Sequence, residues 1–360
     1  MLDVRPALRR SSSPAVLATG PPEVPDGAPT KVRSPMRKWR WVIALLLLVA
    51  LLVIASTRAE QRRFTELLER AEPAWLLVMI ALQVGTYACL AHVWAAVIRR
   101  VNHSAPSPYW LARLALAELF TDQALPTGGV GGTIFVVSAL ARRGISRAAA
   151  GAAVTVSLFG LYAAQLLAVS AALLTLFLEH RSGALSLSVG IVALVAAIAT
   201  PVVTIAIAAG GLKRIPARLR RFKIVETLRG SIASAPHDVI FDPWILARAG
   251  AWRLLILFLD GSTLAAALAA IGHPLAIQDA CLVTVLASAA ASVSFLPGGL
   301  GSYEALSIAL LIALGAPLEA AASATLLMRG FSFWLPMLPG LWFARKELAA
   351  RAHHHTATAA

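Results

Sequence analysis

The chain has 360 residues, 58% hydrophobic and only 14% charged, with a mean hydropathy of +0.75. Soluble globular proteins run nearer about 45–50% apolar and about 25% charged, so this composition excludes a soluble domain and indicates a polytopic membrane protein. The formal net charge of +14 is no sign of nucleic acid, because the basic residues stand mainly at the ends of apolar segments, where they set topology.

Residues 1–38 hold several Pro, Ser and charged residues without an apolar period and read as a disordered cytoplasmic tail. The apolar run starts too late for a cleaved signal peptide. Lys31, Arg33, Arg37, Lys38 and Arg40 fix orientation and are drawn to anionic membrane lipids, at about 1 kcal/mol per charge near the surface. The membrane domain is expected over 39–346. Its first crossing spans about Trp41 to Thr57, and a polar connector, Arg58 to Pro73, follows. The second crossing is Ala74 to Ile98, with Trp75 and Trp94 near its ends and Arg99 and Arg100 behind it.

Trp110 to Phe120 is a short apolar piece carrying Arg113 and Glu118. Asp122, the run Leu125-Pro126-Thr127-Gly128-Gly129-Val130-Gly131-Gly132, and a second short piece to Leu140 come next. Neither piece reaches the ~20 residues of a crossing, so a helix, a broken tip and a returning helix are expected. Arg142, Arg143 and Arg147 anchor that side. Ala148 to Leu178 is long enough for a tilted third crossing, and Leu185 to Ala209 forms a fourth. A basic segment from Lys213 to Lys223 reads as a cytoplasmic surface helix. The fifth crossing, about Trp244 to Ile271, carries Arg248, Arg253 and Asp260. Ala276 to Ser294 then leads into a second break, Leu296-Pro297-Gly298-Gly299-Leu300-Gly301, and Tyr303 to Leu314 leads out. The last crossing is Leu318 to Ala344, and 347–360 reads as a second disordered cytoplasmic tail. Cys89 and Cys281 lie far apart in apolar stretches, and no metal-ligand spacing, Walker motif or nucleotide fingerprint is present.

The expected fold is therefore all-α, with about six transmembrane helices and two re-entrant broken hairpins. With the termini in the cytoplasm, the inner loops hold most of the Lys and Arg. Each half, about 39–181 and 182–346, reads crossing, connector, crossing, broken hairpin, crossing. Three crossings per half make the repeat inverted, a transporter design in which broken helices meet near the midplane. Pro and clustered Gly cannot sustain a helix, and the backbone groups they free must be buried in protein or line a wet cavity. Their helix N-termini offer amides and a positive dipole end suited to a phosphate or carboxylate.

At these residues the chain resembles the transmembrane region of lysylphosphatidylglycerol synthases, a flippase-like membrane family. The resemblance rests on Leu296 to Gly301 with Glu304, then Gly315, an Ala-rich run and Leu327-Met328-Arg329, and on Leu125 to Gly132 for the other half. It covers about 39–346. Relatives often carry Glu or Arg directly after the first glycine cluster, where Thr133 and Ile134 stand here. The resemblance implies a lipid or lipid-linked substrate in a bacterial plasma (inner) membrane. The soluble aminoacyl-transfer domain of some members is not expected here, so no aminoacyl transfer is credited.

The substrate-binding candidates are Gly128, Gly129, Gly131, Pro297, Gly298, Gly299, Gly301, Glu304, Arg329, Asp260 and Glu118. Glu304 and Arg329 form the leading pair, because ionisable groups at membrane depth are functional candidates and a pair lowers the cost of each. Arg329 is suited to grip a lipid phosphate with two donors. Asp260 and Arg253 lie seven apart on one helix face, facing a cavity or making an interhelical bond. Glu118 and Asp122, four apart, suit a cationic head group, a coupling ion or an interfacial polar face. His237 and Asp242 echo the His–Asp spacing of glycerolipid acyltransferases, a weak signal on a connector. The function read here is lipid translocation, with no catalytic residue, metal or cofactor assigned. The alternatives are a membrane subunit presenting a lipid-linked intermediate to a cell-envelope synthase or glycosyltransferase, and a lipid-dependent transferase.

Overall fold

Pro73 and Pro243 each open a long apolar helix, at the position where proline's fixed φ and missing N–H are tolerated. The computed structural model describes residues 72–124, 130–178, 188, 190–199, 202, 236–292 and 299–357. In chain order the helices are α1 (Pro73–Asn102), α2 (Pro108–Ala124), α3 (Val130–Arg142) and α4 (Arg147–Leu178). A short apolar helix, Gly190–Ala199, and a single turn, His237–Ile240, precede α5 (Pro243–Ala270). Then come α6 (Ile277–Ala291), α7 (Ser302–Ala313), α8 (Leu318–Arg329), a π-helical segment (Gly330–Trp334) and α9 (Leu335–Ala357). The described residues contain no strand. All of them belong to one unit, Ala59–Ala360.

The protein is an all-α membrane protein. Helices α1, α4 and α5 are long and apolar enough to cross a bilayer. Large apolar side chains such as Leu77, Val84, Leu167, Phe177 and Phe258 stay exposed on them, as a lipid-facing surface requires. The hairpin helices are shorter, with 17 and 13 residues in α2 and α3 and 15 and 12 in α6 and α7. At 1.5 Å per residue none of the four reaches the roughly 30 Å of a hydrocarbon core. The crossing expected at 41–57, the connector 58–71, the basic segment 213–223, much of 185–209 and the N-terminal tail lie outside the described residues.

One element order occurs twice: long helix, short helix, break, short helix, tight turn, long helix. The tight turns match bond for bond. Ile145 N–H reaches Leu140 O at 3.2 Å and Gly144 N–H reaches Ala141 O at 3.1 Å, while Ala316 N–H reaches Leu311 O at 3.0 Å and Gly315 N–H reaches Ile312 O at 2.9 Å. Both are Schellman caps, with Gly144 at φ 76° and Gly315 at φ 93°, where a Cβ is disfavoured. The equivalent helices α1 and α5 run antiparallel, since Glu72 N–H at the start of α1 meets Ala270 O at the end of α5 at 3.2 Å. The two halves are thus inverted relative to one another. They also exchange elements: α4 packs on α6, and α9 packs on α2.

The last crossing differs from expectation. The sequence reads as one helix from Leu318 to Ala344, but five residues adopt a π turn directly after Arg329. Helix then continues to Ala357, past the boundary at 346 where a disordered tail was expected.

Small residues set the closest approaches. A Cβ on Gly261 of α5 would lie 2.6 Å from Cys281 Cα on α6, a backbone atom that cannot swing aside. One on Gly250 of the same helix would meet nothing within 4 Å. Gly261→Ala is expected to lower the thermal midpoint of the purified protein, while Gly250→Ala, gaining helix propensity of up to about 1 kcal/mol, leaves it unchanged or higher. Equal midpoints for the two variants would mean that α5 and α6 are not held this close.

Candidate functional site

Two hydrophobic clusters divide the bundle, one built on α2 and α3 with the ends of α1 and α5, the other on α6, α7 and α8. Between them lies a cavity of about 400 Å³. On α1 it is lined by Gln83, Thr86 and Tyr87, which fall between Met79 of one cluster and Ala91 of the other. On α5 it is lined by Ile256 and Asp260. Both stretches are near the middle of their long helices, so the cavity sits at mid-height of α1 and α5. Gln123 from α2, Thr284, Ser288 and Ser292 at the α6 side of the second break, and Gly299, Tyr303, Arg329 and Ser332 complete its polar wall.

Glu304 and Arg329 meet as expected. Arg329 Nε donates to Glu304 Oε1 at 2.6 Å, and the side chains are 11% and 18% exposed for Arg329 and Glu304. The other carboxylate oxygen, Oε2, accepts the N–H of Gly301 at 2.6 Å. One carboxylate therefore satisfies the start of α7 and a cation from α8. The guanidinium also lies against the rings of Phe333 and Tyr303, at 4.5 and 5.1 Å from their centroids. Nearby, Tyr303 Oη donates to Met328 Sδ at 2.9 Å, and Ser307 and Thr325 share a buried hydrogen bond at 3.0 Å. These contacts lock α7 to α8 beside the cavity.

The first break uses the same device from the other direction. Asp122, at the end of α2, accepts the N–H of Gly132 in the first turn of α3 at 2.6 Å. Thus in both halves a protein carboxylate already occupies an amide at the start of the returning helix. One amide at each of these helix starts is therefore taken by the protein itself. The Gly132 contact also gives Asp122 a role the sequence did not disclose.

Asp260 lines the cavity, where its Oδ1 accepts from Gln83 Nε2 at 3.2 Å; the same nitrogen donates to Thr263 Oγ1 at 3.0 Å. Among the described residues no ion pair reaches Asp260. Arg253, expected on the same face, does not line this cavity. It donates to Ser157 Oγ on α4 at 2.5 Å and interacts electrostatically with Glu118. Glu118 in turn lies in the field of Asp122, so it belongs to a buried charge group beside the cavity rather than to its wall. Gly131 is buried in the first turn of α3, and Gly299 lines the cavity. Gly128, Gly129, Pro297 and Gly298 lie outside the described residues. Asp242 of the His–Asp pair caps α5, accepting Trp244 and Ile245 N–H at 2.9 and 3.2 Å.

Sequence reading missed Gln83, Thr86, Tyr87 and the α6 hydroxyls. The signal was present: Gln83, Thr86 and Tyr87 recur at helical spacing within an apolar crossing, as do Thr284, Ser288 and Ser292.

An inverted helical repeat with two interrupted hairpins around a polar cavity is the architecture of a polytopic membrane protein. The chain belongs to the family described as the lysylphosphatidylglycerol synthase TM region, which it matches over residues 41–340. None of the curated proteins matches it.

The shared contacts of Glu304 make a prediction. Glu304→Gln and Arg329→Gln each leave one half of a mostly buried pair behind, whereas the double variant removes both charges. A double-mutant cycle on the thermal or denaturant stability of the purified protein should give a coupling on the order of 1–3 kcal/mol. Additive single effects would show the two side chains to be energetically independent.

Proposed function

We propose that the protein moves a lipid, or the head group of a lipid-linked substrate, between leaflets of the bacterial plasma membrane. The observation that carries this reading is the polar cavity at mid-height between two inverted hairpins, lined by Asp260 and Arg329 within a mostly apolar bundle. The head group would enter the cavity while its acyl chains stay in the bilayer. The short hairpin helices would act as re-entrant arms whose tips flank the cargo, and the termini would lie in the cytoplasm. Among the described residues Asp260 has no cation partner, and Arg329 is already joined to Glu304. That combination favours a zwitterionic head group, with its amine toward Asp260, over one that is purely anionic.

The test is exchange in proteoliposomes. Purified protein is reconstituted with head-group-labelled phospholipids, and a membrane-impermeant quencher reports exchange. Protein-dependent exchange is expected, falling at least ten-fold in Asp260→Asn and in Arg329→Ala on the scale of a lost charge–charge contact of about 1.4 kcal/mol or more. No exchange with any head group from well-folded protein would turn the reading to a subunit that presents its lipid to an envelope enzyme.

Orientation has its own check. In a background with Cys89 and Cys281 replaced, single cysteines at His273 and Ala316 should label from outside intact cells, and ones at Arg142 and Arg220 should not. The opposite pattern would invert the proposed topology.

A further inference from the structure

A second cavity, of about 210 Å³, opens where α1 ends and α5 begins. Arg99 and Arg100 from the last turn of α1 and Arg248 from α5 line it, with Trp244 and Trp252 as aromatic walls. Trp252 is held in place by His92, whose ring stacks on it at 5.1 Å and 25°. Among the described residues Asp242 is the one carboxylate in the lining, and its Oδ1 is turned to the N–H groups of Trp244 and Ile245. Among the described residues no ion pair or hydrogen bond engages the guanidinium of Arg99, Arg100 or Arg248.

The repeat supplies an internal comparison. At the opposite end, where α5 finishes and α1 starts, the positions equivalent by distance from the opening prolines Pro73 and Pro243 are Ala269, Ala270 and Val78. None of these three residues is a cation, so the α1–α5 pairing does not by itself require the three arginines. Basic residues at helix ends commonly set topology, but topology needs neither a concave site nor unpaired charges converging on it.

We propose that this cavity binds the phosphodiester of an anionic glycerophospholipid, held by Arg99, Arg100 and Arg248. Guanidinium forks match phosphate oxygens in geometry and charge. Indole rings settle at head-group depth, so Trp244, 75% exposed, marks the level at which a lipid phosphate lies. Val93, Val97 and Ile245 give the same cavity an apolar side for the glycerol backbone. The site is separate from the central cavity, and it holds whether or not the protein translocates lipid.

The experiment is native mass spectrometry of the full-length, delipidated protein titrated with phosphatidylglycerol or phosphatidylcholine. One phosphatidylglycerol should bind in preference to phosphatidylcholine. Binding should weaken by roughly five-fold for each arginine removed, in Arg248→Gln and further in the Arg99→Gln, Arg100→Gln, Arg248→Gln triple variant. Arg143→Gln with Arg147→Gln, which lowers surface charge on neighbouring helices, should leave binding unchanged. Should the triple variant fail to fold, Arg248→Gln against Arg248→Lys carries the comparison, with lysine recovering part of the loss. Equal phosphatidylglycerol binding by wild type and Arg248→Gln, or an equal loss in the Arg143/Arg147 control, would overturn the proposal. So would displacement of the lipid by millimolar inorganic phosphate or glycerol 1-phosphate, since the occupant would then be a soluble anion.

Discussion

Much of the bundle's interior depends on one carboxylate. Glu304 gives one oxygen to the amide of Gly301 and the other to Arg329, tying the second break to the last crossing. A helix interrupted within a bilayer frees backbone groups that water cannot reach, and each needs a partner from the protein. Asp122 meets the same demand at Gly132. The breaks therefore bring acids into the middle of the bundle, and the acids bring further polar groups. Arg329 answers Glu304, and Arg253 lies in the field of Glu118 beside Asp122. The cavity's polar wall is in part a consequence of how the chain tolerates being broken.

The two halves solve this problem differently, and the difference defines the site. In the first, the carboxylate comes from the helix that enters the break. In the second, it comes from the helix that leaves it and carries a cation from a neighbouring helix. The π turn at Gly330–Trp334 begins at the residue after Arg329, and it places Ser332 and Phe333 at the cavity together with that arginine. The corresponding stretch of α4 continues as regular helix through Leu178. An inverted repeat thus provides the frame, while departures from it provide the chemistry.

Much of this frame was legible in the sequence because it rests on strong signals. Apolar runs of sufficient length announced α1, α4 and α5, and Leu-Pro followed by paired glycines announced the breaks between short helices. Glu304 and Arg329 were found by the cost of charge at depth. Facing was not legible, because helices buried on most sides show little amphipathic contrast and the direction of Arg253 or Glu118 cannot be read from spacing alone. Arg253 and Asp260 share a face by arithmetic, yet the first reaches α4 and the second the cavity. The π turn escaped for a related reason: Gly330-Phe331-Ser332-Phe333-Trp334 reads as ordinary apolar helix, and only packing selects the wider turn. Asp122 escaped because its partner amide lies ten residues on, across the break, where no local pattern points to it.

Charge within the central cavity limits what it can hold. Glu304 and Arg329 largely neutralise one another, so the lining presents Asp260 as its unbalanced charge, supported by the amide of Gln83 and a ring of hydroxyls. A lone phosphate placed there would face a carboxylate in a medium of low polarity, where repulsion between like charges is many times stronger than in water. A head group carrying both an amine and a phosphate can set the amine against Asp260 and direct the phosphate toward the Arg329 side. On the proposed reading, Asp260 at the centre and the arginines at one end divide the labour between them. The outer site is suited to gathering anionic lipid, and the inner one to admitting a head group that brings its own positive charge.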